Sequence, residues 1–72
     1  MRQRTRVGGV VASFDERAGW GSVRGDDGEE LFFHCTAVAD GSRTITEGTP
    51  VDYEIIPGHR GRWEAWSIRP RA

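Results

Sequence analysis

The sequence predicts an all-β barrel of five short strands. Apolar residues come in runs of a few positions, helical periodicity is nearly absent, and ten glycines and three prolines punctuate the 72 residues. A chain this short forms one small domain that buries only about 60% of its unfolded surface, so its turns must be well chosen. Residues 1–6 alternate arginine with polar side chains and lack an apolar anchor, which predicts a mobile basic tail ahead of a domain at residues 7–70.

The first strand is expected from about Val7 to Phe14, with Gly8-Gly9 permitting a bulge or a bend. Valines on both parities leave its inward face open. After a turn at Asp15 to Ala18, strands at Gly19 to Arg24 and Leu31 to Cys35 fold into a hairpin around Gly25-Asp26-Asp27-Gly28. Thr36 to Ala39 reads as one helical turn ended by Asp40-Gly41. From Pro50 to Ile56, Val51, Tyr53 and Ile55 alternate with Asp52 and Glu54, the cleanest half-buried pattern in the chain. The last strand, about Trp63 to Arg69, follows the loop Pro57 to Arg62. Placing Ile68 in the core makes Trp66 a core filler and turns Trp63 the other way, either as a barrel lid or as a stacking residue.

Side chains alternate along a strand, so the hairpin has two faces. Val23, Leu31, Phe33 and Cys35 form the more apolar set and are expected inside, which leaves Trp20, Phe32 and His34 together outside. Glycines on both sides of Trp20 remove bulk around the indole, leaving room for a flat partner. Exposed aromatics on adjacent strands are what single-strand binders use, because every base has a π-face. A register one residue out would instead make Trp20 and Phe32 core residues.

Five segments resemble the cold-shock domain family, in the family's order. Gly19-Trp20-Gly21 with Val23 is similar to its first ribonucleoprotein-type motif, and Leu31-Phe32-Phe33-His34-Cys35-Thr36-Ala37-Val38 to its second. Gly9 to Asp15 resembles the family's opening strand, Thr44-Ile45-Thr46-Glu47-Gly48 its turn before the fourth strand, and Val51 to Ile55 that strand. The resemblance implies a five-stranded antiparallel barrel of the oligonucleotide-binding (OB) fold, cold-shock domain type. It also implies binding of single-stranded RNA or DNA with low sequence preference, and a role as an RNA chaperone or cold-shock regulator. Trp20, Phe32 and His34 fall on stacking positions, with Phe14 as either a fourth platform member or a rim residue closing the core. Arg60 falls where the family often carries a basic residue, so Arg60 and Arg62 are the expected phosphate contacts, with Trp63 and Arg43 as further stacking candidates. The family's usual Lys and Trp positions on the first strand hold Ala12 and Ser13, and two more aromatic positions hold Ser22 and Cys35. At about 1 to 3 kcal/mol per stacked base, losing three aromatics weakens binding by a factor between hundreds and millions.

The formal net charge of −1 hides segregation: +3 over residues 1–24, −7 over 25–57 and +3 over 58–72. Four acids at 26–30 mark the hairpin tip as a solvated loop that repels phosphate. All ten cations are arginine, which stacks on bases and grips phosphate bidentately, although a GC-rich genome favours Arg over Lys for codon reasons alone. No metal, cofactor or catalytic residue is expected. His34 and Cys35 point to opposite faces, and no ligand spacing recurs around the two His and one Cys. A single cysteine excludes an internal disulfide, and no apolar run suffices for a membrane span or signal peptide, so a cytoplasmic location is expected. The alternative reading is a barrel that has lost nucleic acid binding and serves as a protein-interaction module or weak homodimer through its Trp-rich last strand.

Overall fold

The computed structural model describes residues 6–58 and 61–71. Strands β1 (Arg6–Asp15), β2 (Trp20–Gly25), β3 (Glu30–His34), β4 (Pro50–Pro57) and β5 (Trp63–Pro70) close a barrel in the order β1-β2-β3-β5-β4. A 3-10 turn, Cys35–Ala37, follows β3. Residues 1–5 of the expected tail lie outside the described residues. Arg6 does not belong to a tail, since it opens β1 and pairs with Glu54 on β4.

The barrel departs from the all-antiparallel expectation at one seam: β3 meets β5 in parallel, with Phe32 opposite Glu64. Strand count requires this. Directions cannot alternate all the way round a closed ring with an odd number of members, so five strands leave at least one parallel pair. Val38 extends the same parallel contact to Ile68.

Two bulges decide which side chains face in. In β1 the register slips between Val11 and Ser13, so Ala12 is the extra residue and the bulge does not fall at Gly8-Gly9. Val11 therefore points into the core while Ser13, two residues on, faces out. Gly9 serves close approach instead, because a Cβ there would lie 2.3 Å from the Arg24 carbonyl oxygen. In β5, Ser67 and Ile68 together oppose Tyr53 on β4, and Ser67 adopts a left-handed φ of 54°. Ala65 and Ile68 are both buried as a result, and Trp66 is turned outward at 41% exposure. The expected core role of Trp66 is thus overturned by one bulge residue.

Tyr53, Phe33, Ile68, Val11, Val23 and Val51 are the largest fully buried side chains. Ile55 keeps the inward parity of Val51 and Tyr53 but lies where the barrel opens, and it is exposed. Cys35 is only half-buried, because β3 ends at His34 and the 3-10 turn breaks the alternation that would have carried it inside.

Three arginines near the ends of the described chain, Arg6, Arg69 and Arg71, are engaged within the fold. The Arg6 guanidinium donates to Asp52, to Glu54 (3.4 Å) and to the carbonyl and hydroxyl of Ser67, bracing the β5 bulge. Arg69 approaches Asp52 at 3.7 Å, and Arg71 donates to Asp26 (3.2 Å) and the Gly9 carbonyl. Hydrogen bonds to charged groups contribute about 1.5 to 3 kcal/mol. Arg6→Ala, which also leaves two carboxylates facing each other, is expected to lower the melting temperature by roughly 5–20 °C in scanning calorimetry. Arg6→Lys should recover only part of that loss, since one ammonium cannot span the carboxylates and the bulge carbonyl together.

Candidate nucleic-acid interface

The site begins at the β1–β2 turn. Asp15 Oδ1 accepts from the backbone N–H groups of Arg17 and Ala18, and Gly19, at a φ of 77°, donates to the Asp15 carbonyl (2.8 Å). A left-handed turn is inexpensive only for a residue without Cβ, and it starts β2 directly at Trp20. Gly21 has a different role from the one its sequence position suggests. It is buried, and a Cβ there would lie 2.2 Å from the Ser13 carbonyl oxygen, so it makes room for β1 and not for a partner of the indole.

Pairing between β2 and β3 sets Trp20 opposite His34, Ser22 opposite Phe32 and Arg24 opposite Glu30. Opposed residues of an antiparallel pair share a face, and this face is the outer one. Trp20 is 47% exposed and His34 is exposed, while Phe33 and Val23 on the other face have no exposure. The Trp20 and Phe32 ring centroids are 5.2 Å apart at 40°, and Phe32 meets His34 edge to face at 5.0 Å. The three rings form one contiguous surface.

A polar strip borders the rings where the family resemblance leads one to expect aromatics. Ser22 Oγ donates to Glu30 Oε2 (2.8 Å), which commits the Ser22 proton, so at the 3.0 Å Ser13–Ser22 contact the Ser13 hydroxyl is the donor. Phe14 is not on this face. It stacks nearly parallel on the buried Phe33 at 5.8 Å and packs against the core, the second of its two sequence-level alternatives.

Among the remaining candidates, Arg43 is exposed with a φ of 62°, in a loop shaped by Asp40 accepting from the Ser42 N–H (2.9 Å). That hydrogen bond holds the Asp40 carboxyl below its ordinary value. Thr44 donates to Glu16 (2.7 Å), tying this loop to the turn that leads into Trp20. Arg62 is exposed, and its carbonyl accepts from Gly58. Neither Arg43 nor Arg62 forms an ion pair among the described residues. Trp63 is 58% exposed opposite Pro57 and is stacked on no other ring among the described residues. Arg60 lies outside the described residues. Trp66, expected in the core, instead shares the outward side of β5 with Glu64, the residue paired with Phe32. A glycine or asparagine at position 67 would have hinted at the left-handed residue of the bulge, and the residue there is serine.

No group of three or more His, Cys, Asp or Glu suited to a metal ion occurs among the described residues, and no helix there is long and apolar enough to cross a membrane.

A closed five-strand barrel carrying an aromatic outer face on β2 and β3 defines an OB barrel of the cold-shock type. The family model of the "Cold-shock" DNA-binding domain matches residues 7–70, and the chain belongs to this family of nucleic-acid-binding domains. It is similar to the cold shock-like protein CspD of Bacillus cereus, with 39% identity over 74% of this chain and 82% of the relative. It is also similar to cold shock protein 2 of Lactiplantibacillus plantarum, with 36% identity over 88% of this chain and 96% of the relative. Among solved structures it superimposes on drosophila Unr CSD456 with a TM-score of 0.78 and 33% identity, over 96% of this chain and 28% of that longer one. Members of this family act as binders and not as enzymes.

Proposed function

We propose that the protein binds single-stranded RNA or DNA by stacking bases on Trp20, Phe32 and His34, with low sequence preference and reduced affinity. The observation that carries this reading is the contiguous outward surface of three rings, with the indole half in solvent. Stacking reads the flat face of a base and not its hydrogen-bonding edge, so it tolerates any sequence. Reduced affinity follows from Ser13 and Ser22, which offer hydroxyls already engaged with each other and with Glu30. With Ser13 on one flank and Trp66 on the other, the footprint is displaced from β1 toward β5, while Trp63, exposed at the start of β5 on the parity of Ala65, and Arg62 stand at its edge. Arg43 supplies a cation at the Trp20 end. A domain that holds bases without reading them suits a role in keeping RNA unpaired, as a chaperone or cold-stress regulator in the cytoplasm.

Titration of tryptophan fluorescence with short DNA and RNA oligomers at low salt tests this reading. Saturable quenching is expected, and its absence at millimolar nucleotide would overturn it. Ser22→Phe is expected to tighten binding roughly 5- to 150-fold, because a ring there would adjoin Phe32 and contribute about 1 to 3 kcal/mol per stacked base. Unchanged affinity in that variant would show that bases do not pass over the centre of β2.

A second reading is favoured by the two indoles of β5, which leave a large apolar area exposed for a single strand. In that case β5 docks a protein or a second copy of the chain. Sedimentation at several concentrations discriminates: a mass that stays monomeric to high concentration excludes the homodimer, and Trp66→Ser leaves nucleic acid binding intact only if β5 serves proteins.

A further inference from the structure

At the hairpin end of the barrel, away from the aromatic surface, lies a cleft of about 190 Å³. Its wall is apolar, formed by Val7, Leu31 and Ile55, and its rim carries Asp27 and Glu29. Tyr53 is buried to 99% as a residue, and its hydroxyl, which has no hydrogen-bond partner among the described residues, is open to solvent at the cleft. That oxygen and Asp27 Oδ1 converge on one spot. A Cβ added to Gly25 would lie 3.0 Å from the Tyr53 hydroxyl, 2.8 Å from Asp27 Oδ1 and 3.5 Å from the Glu29 carbonyl. Without a side chain, Gly25 leaves these oxygens uncovered at the mouth of an apolar slot; Asp27 Oδ1 also accepts from the Glu29 N–H (2.9 Å) and the Glu29 carbonyl from the Gly25 N–H (2.7 Å), each keeping a further lone pair.

We propose that this cleft binds an alkylammonium or alkylguanidinium cation, its stem lying on Val7, Leu31 and Ile55 and its head held by Tyr53 Oη, Asp27 and Glu29. The chemistry excludes most other ligands. An anion would face Asp26, Asp27 and Glu29 with Arg71 the one cation of the described residues bound there, and Arg71 is already engaged by Asp26. A neutral apolar ligand would displace water from the Tyr53 hydroxyl and leave it unpartnered, whereas an ammonium donates both to it and to the Asp27 carboxylate. Burial, followed by the charges of Asp27 and Asp26, pushes the Tyr53 hydroxyl above its ordinary pKa, so it is neutral at physiological pH and free to accept from a cation. Two sources carry this chemistry: a free aliphatic diamine, or the side chain of a lysine or arginine in a partner protein. The proposal stands independently of the nucleic-acid reading, since the cleft and the ring surface share no residue.

The test is an amide NMR titration of the nucleic-acid-free chain with 1,4-diaminobutane, and in parallel with Nα-acetyl-lysine methylamide. At least one should give saturable shifts confined to Val7, Gly25 to Leu31, Tyr53 and Ile55. Diaminobutane alone identifies a free diamine as the ligand, and the lysine derivative alone identifies a side chain. Tyr53→Phe and Asp27→Asn should each weaken binding by about tenfold, the loss of one hydrogen bond to a charged group. Asp27 is exposed, so its variant folds even if Tyr53→Phe does not. Non-saturating shifts spread over all acidic residues, equal shifts with 1-butanol, or unchanged affinity in Asp27→Asn would overturn the proposal.

Discussion

Trp20→Ala is expected to weaken binding of short single strands roughly 5- to 150-fold, the loss of one stacked base at about 1 to 3 kcal/mol. Its melting temperature should change little. The indole is half in solvent and touches Phe32 from the outside, so removing it opens no cavity in the core. A buried tryptophan would behave in the opposite way, with a cost of about 3 to 5 kcal/mol that would unfold much of so small a domain. Anisotropy of a labelled oligomer together with a thermal melt separates the two outcomes. Phe32→Ala should weaken binding to a similar degree, and the double variant should fall short of the sum, because each ring positions the other.

Gly21→Ala is expected to damage the fold far more than its single methyl suggests. The added Cβ would meet the Ser13 carbonyl at 2.2 Å and the Phe14 Cα at 2.9 Å, both backbone atoms of β1 that cannot swing aside. Overpacking costs about 1 to 3 kcal/mol and sometimes more, against a total of about 4 to 11 kcal/mol for a domain of this size. The melting temperature should drop by roughly 10–20 °C, and binding should be lost with the fold. Gly28→Ala is the control, since no atom lies within 4 Å of a Cβ there and only the strain of its φ of 92° is at stake. If Gly21→Ala instead melts normally and loses only affinity, the glycine makes room for a ligand and not for β1.

These two residues show how far the sequence is legible. Strand alternation around Trp20, Phe32 and His34 placed their rings on one face, because β2 and β3 form a regular hairpin in which parity holds. The role of Gly21 was not legible, because what crowds it is a carbonyl on β1, eight residues away in sequence and adjacent only after the strands pair. Phe14 could be read only as two alternatives, since the Ala12 bulge decides which way the end of β1 points. Trp66 was misplaced for the same reason, as nothing in Ser67-Ile68 announces that the two residues will share one partner. Arginine suits phosphate, yet Arg6, Arg69 and Arg71 meet acids 17 to 48 positions away.

Local chemistry therefore determined the all-β class, the turns, the hairpin and the identity of the exposed rings, since each depends on residues within one or two turns of the chain. Tertiary structure alone decided the parallel seam, the outward turn of Trp66, the pairing of Arg6, Arg69 and Arg71 with acids and the cleft beside Gly25. Closing a barrel fixes register between strands distant in sequence, and a shift of one residue at a bulge reverses every side chain beyond it.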